Sequence, residues 1–282
     1  MDNSHYVSVP NKKVTANNGI TYAYREVGVR RGTPIVALNH LSANLDNWDP
    51  TIIDGLGKNH WVITFDYQGV GTSSGKVSGS IQLMADDTIN FIHALKLEKV
   101  DILAFSMGGM VAQEMMLKDP ELLNRVILAG TGPRGGEGIE NVTKISDASL
   151  ARALVTFKDI KTYLFFTRTE NGKRSAQDFV ARLNIRKKDR DKTINWFAYR
   201  RQLRAINAWG KEKPADLSDI DIPTLVVNGD NDIMVPTTPN TYQLKDRIKN
   251  SRLIIYTDAG HGSIAQYHES FVKSANEFYG EN

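Results

Sequence analysis

The chain has 282 residues, 41% of them hydrophobic and 24% charged, a globular composition that excludes a disordered or fibrous protein. It contains no cysteine, which excludes disulfides and thiol chemistry. Net charge is only +3, but 17 Lys or Arg against six Asp or Glu fall between Arg152 and Lys213, a local +11 that leaves −8 on the remainder.

Val14–Ala16 and Thr21–Arg25 flank Asn17-Asn18-Gly19 and predict an antiparallel hairpin. Six short β-branched runs follow: Ile35–Leu38, Val62–Phe65, Val100–Ala104, Val126–Ala129, Thr224–Val227 and Leu253–Tyr256. They are short, largely apolar runs without polar alternation, broken only by Thr64, Asp101 and Thr224, as expected of strands covered on both faces. Helices fit between them. Ser80 caps one predicted to about Lys96, with Ile81, Met84, Ala85, Thr88, Ile92 and Leu95 on one face. Met107–Lys118 is the next, ended by Pro120, and Ser263–Tyr279 is the last. Alternating strand and helix predict an α/β fold with a mostly parallel central sheet flanked by helices.

The alternation breaks between Gly132 and Pro214, which holds helical patterns and aromatics but no buried strand pattern. The expected organisation is a core of residues 1–132 and 214–282 with a helical cap over 133–213. The basic stretch lies in that cap and is read as a solvated helical face, with nucleic-acid binding as the alternative. No apolar run is long enough to span a bilayer. Met1–Lys13 is polar, with a proline at position 10, and lacks the apolar core of a secretory signal. The expectation is a cytoplasmic protein acting on a small molecule, with no nucleic-acid or membrane partner; oligomeric state is not legible.

Ala104-Phe105-Ser106-Met107-Gly108-Gly109 follows a strand and opens a helix, the setting of a nucleophile elbow. Small residues two positions either side of Ser106 let the tight turn pass between strand and helix, and the helix N-terminus offers backbone N–H groups beside the hydroxyl. A serine needs a base to take its proton. Of six histidines, His261 in Gly260-His261-Gly262 follows the last strand and is placed to lean over the sheet edge. The base needs a carboxylate to fix its tautomer, and Asn228-Gly229-Asp230-Asn231-Asp232 after the seventh strand offers two. The oxyanion needs donors. Met107 N–H is one, and the loop Asn39-His40-Leu41-Ser42-Ala43 is positioned to supply the other.

Four motifs together resemble the α/β-hydrolase superfamily, closest to its serine esterase and cofactor-free haloperoxidase-like branch. They are the elbow, Asp66-Tyr67-Gln68-Gly69-Val70-Gly71-Thr72-Ser73, Gly229-Asp230-Asn231-Asp232-Ile233-Met234-Val235-Pro236, and Gly260-His261-Gly262-Ser263. The resemblance implies the α/β-hydrolase fold with a helical cap insertion, the triad Ser106, His261 and Asp232 with Asp230 the runner-up, and Ser42 N–H as second oxyanion donor with Leu41 N–H the fallback. It makes His40 structural. Gln68 stands where the family's turn carries Arg, so an ion pair is expected to be lost. Ala43 in place of proline points to plain hydrolysis with water, and Ser rather than Asp at the elbow rules out an alkyl-enzyme ester there. Leu41 and the cap residue Trp209 are the candidate substrate contacts. No metal or other cofactor is implied: the histidines lack ligand spacing, and the glycine turn at Gly69 and Gly71 lacks the dinucleotide fingerprint. The implied activity is that of an esterase-like serine hydrolase cleaving a small carboxylic ester through an acyl-enzyme. The same triad also serves carbon–carbon bond hydrolysis, lactone hydrolysis, acyl transfer and perhydrolysis, and a non-catalytic ligand receptor on this scaffold is the alternative from another class.

Overall fold

A computed structural model of the protein describes residues 5–281; Met1–Ser4 of the polar N-terminal stretch, and Asn282, lie outside them. Eight strands form one sheet: β1 (Lys12–Thr15), β2 (Thr21–Val27), β3 (Ile35–Leu38), β4 (Val62–Phe65), β5 (Val100–Phe105), β6 (Leu123–Ala129), β7 (Thr224–Gly229) and β8 (Ser251–Tyr256). Their spatial order is β1-β2-β4-β3-β5-β6-β7-β8. The β1–β2 and β2–β4 pairs are antiparallel and the others parallel. Every residue of β3, β4, β5 and β7 is buried, which is why these strands are apolar without alternation. Edge strand β1 alternates between half-buried and exposed.

The first helices are α1 (Pro50–Gly57), α2 (Ile81–Ala94) and α3 (Met107–Lys118). Ser80 caps α2 as predicted, its side chain accepting the Leu83 N–H at 3.2 Å. Between β6 and β7 the described chain is helical: α4 (Val142–Thr156), α5 (Lys161–Leu164), α6 (Glu170–Leu183) and α7 (Trp196–Lys211). After β7 come α8 (Thr237–Arg247), α9 (Ser263–Gln266) and α10 (His268–Gly280). The single last helix predicted over Ser263–Tyr279 is thus two. Tyr267 leaves helical geometry (φ −107°, ψ 37°), and its side chain is held by stacking on Tyr256 at 4.7 Å and a hydrogen bond to the Thr257 carbonyl at 2.7 Å.

Basic side chains pin the helical segment to the core. Arg182 donates to Asp49, 2.7 Å from its Oδ2, and Arg186 donates to the Val7 and Val9 carbonyls at 3.1 and 2.9 Å. A buried pair, Arg25–Asp46 at 2.7 Å, lies beneath, and Asp46 Oδ2 accepts the Asp191 N–H at 2.8 Å.

Parallel pairing fixes where chemistry sits. The loops after β3, β5, β7 and β8 emerge at one edge of the sheet. The chain leaves β3 toward β4 on one side and β5 toward β6 on the other, and such a reversal opens a crevice at the strands' carboxyl ends. Leu38 is opposite Ala104 in the register, so the loop after Leu38 runs beside Ser106.

Candidate active site

Ser106 joins β5 to α3 with φ 57° and ψ −115°, a left-handed conformation that favours glycine and costs a serine about 1–3 kcal/mol. Its N–H is tied to the Ala129 carbonyl at 2.8 Å, which holds the turn. Gly108, the second residue of α3, faces the Leu38 carbonyl so closely that a Cβ would stand 2.7 Å from the carbonyl carbon. Glycine there lets α3 sit close against β3.

The three expected side chains meet. His261 Nε2 is 2.7 Å from Ser106 Oγ, and His261 Nδ1 is 2.7 Å from Asp232 Oδ2. A carboxylate can only accept, so Nδ1 carries the ring hydrogen. Nε2 then presents its lone pair, and the serine hydroxyl donates to it. Asp232 Oδ1 accepts the Met234 and Val235 N–H groups at 2.8 and 3.0 Å, which fixes the carboxylate plane. The runner-up, Asp230, serves the turn instead: it accepts the Ala259 N–H at 3.2 Å and an Asn231 side-chain N–H at 2.6 Å. From the helical segment, the Phe165 carbonyl accepts the Gly262 N–H at 2.8 Å, clamping the histidine loop.

Of the two amides assigned to an oxyanion, Met107 N–H has no hydrogen-bond partner among the described residues. The Ser42 N–H does have one: it donates at 2.8 Å to Oε1 of Gln202, a fully buried residue of α7. Ser42 also sits at φ 62°. Nε2 of Gln202 is buried without a partner. Leu41, where the family pattern has glycine, thus precedes a left-handed residue, and the amide carbonyl of Gln202 accepts the N–H expected as the second oxyanion donor.

The cavity over Ser106 and His261 is lined by His40, Leu41, Ser42, Ser146, Ile160, Lys161, Leu164, Phe165, Tyr199 and Met234. Its open volume is about 40 Å³, room for about three waters at ~10–15 Å³ each. The helical segment therefore covers the serine. Leu41 lines this cavity as expected, whereas Trp209 does not. Trp209 is buried between α7 and α3, its Nε1–H donating to Glu114 at 2.9 Å, beside Arg134. Its assignment as a substrate contact is corrected: the indole joins the helical segment to the core.

His40 has a place sequence reasoning did not give it. It lines the cavity edge-on to Phe105 and Phe165, and its Nδ1–H donates to the Leu41 carbonyl at 2.8 Å. Burial pushes its pKa down to about 3, with help from the Lys161 charge, so it is neutral, with Nε2 buried and unpartnered. Lys161, Ser146, Tyr199 and Gln202 lie in helices that carry no motif, so no sequence signal singled them out. Where Gln68 replaces Arg, Asp66 is pressed against Asp191 over Gly71. Burial first, then that neighbouring carboxyl, raises its pKa well above the usual carboxylate range.

This sheet topology, with its strained serine, buried histidine and carboxylate at one edge, defines the hydrolase class that the motifs resembled. Residues 33–266 match the family model described as alpha/beta hydrolase fold, and the chain belongs to that family, with similarity extending to its haloperoxidase-like members. It is 28% identical over 255 residues to an (E)-2-((N-methylformamido)methylene)succinate hydrolase of Acinetobacter baylyi, covering 89% of this chain and 90% of that protein. It is 26% identical over 259 residues to a non-heme chloroperoxidase of Kitasatospora aureofaciens, covering 88% and 91%. An alpha/beta hydrolase fold protein from Chitinophaga pinensis superposes with a TM-score of 0.93 at 33% identity, covering 99% of this chain and all of that one.

Proposed function

We propose that this protein is a serine hydrolase that cleaves a small carboxylic ester, or a related acyl compound, through an acyl-enzyme on Ser106. The observation that carries this reading is the unbroken line of 2.7 Å hydrogen bonds from Ser106 through His261 to Asp232. Ser106 Oγ attacks the carbonyl carbon while its proton passes to His261 Nε2. Asp232 stays ionised and steadies the imidazolium. The oxyanion is received by Met107 N–H and, once Gln202 withdraws its carbonyl, by Ser42 N–H. Donors placed in this way are each worth about 10²–10³ in rate. His261 then protonates the leaving alkoxide as the C–O bond breaks. Water, deprotonated by His261, then attacks the acyl carbon; the bond to Ser106 Oγ breaks, the acid leaves, and His261 returns the proton to Oγ.

The helical segment 133–213 acts in this scheme as a cap. A cavity of about 40 Å³ holds no ester, so substrate entry requires the segment to move. The relatives named for hydrolysis and for chloroperoxidase activity agree with an acyl-transfer site while leaving its acceptor open. The hydrogen bond from Ser42 N–H to Gln202 favours a second reading, a ligand receptor whose oxyanion site is filled from within. A serine-directed fluorophosphonate separates the two. Labelling of Ser106 in the wild type and none in Ser106→Ala supports the hydrolase; a folded wild type that stays unlabelled favours the receptor.

A further inference from the structure

The cavity over Ser106 has an electrostatic asymmetry that hydrolysis of a neutral ester does not require. Lys161 lines it, while no Asp or Glu does among the described residues. The lysine is largely buried, its side chain 16% exposed. Its one anionic neighbour is Asp159, whose oxygens lie 3.3 and 3.5 Å from Nζ, at the long end of hydrogen bonding. Asp159 is itself half-exposed and engaged elsewhere: Oδ1 accepts the Lys161 backbone N–H at 2.9 Å. An ammonium has three donors, and the long contacts to the two Asp159 oxygens are its only hydrogen bonds among the described residues.

Two hydroxyls line the same space. Ser146 Oγ and Tyr199 Oη are 2.8 Å apart, and both residues are more than nine-tenths buried. Only one hydrogen lies between the two oxygens, so the other hydroxyl hydrogen remains free to donate. The stretch Arg152–Lys213, to which Lys161 belongs, carries a net +11, and a positive field of that kind favours the approach of anions. The charge on Lys161 is felt across the cavity at His40.

We infer that the substrate carries a carboxylate besides the group being cleaved, held by Lys161 Nζ and by the free hydroxyl hydrogen of the Ser146–Tyr199 pair. The anion completes the coordination of a buried ammonium that Asp159 satisfies only loosely, and a buried charge is stable in proportion to how well it is paired. This inference rests on the hydrolase reading for its chemistry but not for its binding step.

The test compares monomethyl glutarate with methyl pentanoate, and O-acetylglycolate with ethyl acetate. The first pair puts the carboxylate on the acyl side and the second on the leaving group. kcat/KM is measured at low salt for wild type, Lys161→Met and Lys161→Arg. The wild type is expected to favour a carboxylate ester over its neutral partner in at least one pair. Lys161→Met should lower that ratio by about 10- to 100-fold, and Lys161→Arg should restore most of it. A ratio unchanged by Lys161→Met in both pairs overturns the inference. If no ester is turned over and Ser106 resists fluorophosphonate, the hydrolase reading has failed, and calorimetric titration with glutarate decides the binding step. Heat of binding in the wild type and none in Lys161→Met sustains the carboxylate subsite; absence of binding to the wild type overturns it.

Discussion

Gly108→Ala tests how much of the site depends on the approach of α3 to β3. The added Cβ would lie 2.7 Å from the Leu38 carbonyl carbon and 2.9 Å from the Leu38 Cβ. Ordinary carbon–carbon contacts are ~3.5–4.0 Å, so the helix must retreat by about 1 Å. Leu38 belongs to a fully buried strand hydrogen-bonded on both sides, which leaves the helix as the part that yields. Overpacking of this kind costs about 1–3 kcal/mol of stability. The larger effect is catalytic. Met107 N–H moves with the helix, away from the loop 39–43, and a displacement of ~1 Å at a reacting centre costs about 10²-fold. The assay is kcat/KM on a short ester, beside urea unfolding of wild type, Gly108→Ala and Gly280→Ala. A Cβ at Gly280 meets nothing within 4 Å, so that control should stay within about 0.5 kcal/mol of wild type. Folded Gly108→Ala with activity within threefold of wild type would refute the claim that this contact positions the amide.

Asp232→Asn should lower the rate of acylation by roughly 10⁴, because the amide oxygen stays with the Met234 and Val235 N–H groups and the amide NH2 then faces Nδ1, which forces the wrong histidine tautomer, whereas Asp230→Asn should cost less than tenfold; stopped-flow acylation would show a reversed ranking if the turn acid were the catalytic one. Gln202→Met keeps the side-chain volume but removes the acceptor for the Ser42 N–H; stability should drop by about 1–3 kcal/mol while KM falls, since substrate no longer displaces a bound carbonyl, and an unchanged KM would count against that displacement. Asp66 has its pKa raised in the fold, so its stabilising contribution is whole below the ordinary carboxylate pKa of ~4 and is lost as pH rises through the raised value. Asp66→Asn should flatten that decline in a series of urea midpoints against pH, and a slope identical to wild type would contradict the shift.

Much of the core was legible because burial on both sheet faces leaves an unmistakable residue pattern. Ile35–Leu38 is apolar throughout, Val62–Phe65 and Thr224–Val227 are apolar but for one threonine each, and all three fall on observed strands. Two helices left no comparable trace. α1 is eight residues long with two glycines, and α8 begins Thr-Thr-Pro-Asn-Thr with few apolar positions, so neither shows helical periodicity. The break at Tyr267 arises from stacking on Tyr256, a tertiary contact between residues eleven positions apart that no local window contains. The three side chains that meet at the site were legible because each sits in a turn of constrained geometry after a strand. The lining from the helical segment was not. Lys161 and Tyr199 face the cavity through the packing of α5 and α7, and Trp209, an equally plausible aromatic in the sequence, turned instead to Glu114 on α3.

The central claim is that Ser106 carries the acyl group between the two half-reactions. Rapid quenching in acid during turnover of a short ester, followed by peptide mass spectrometry, reads this directly. The peptide containing Ser106 should show a mass increase equal to the acyl group, appearing within the first turnover and absent in Ser106→Ala. Steady hydrolysis with that peptide unmodified, and with Ser106→Ala as active as the wild type, would contradict it.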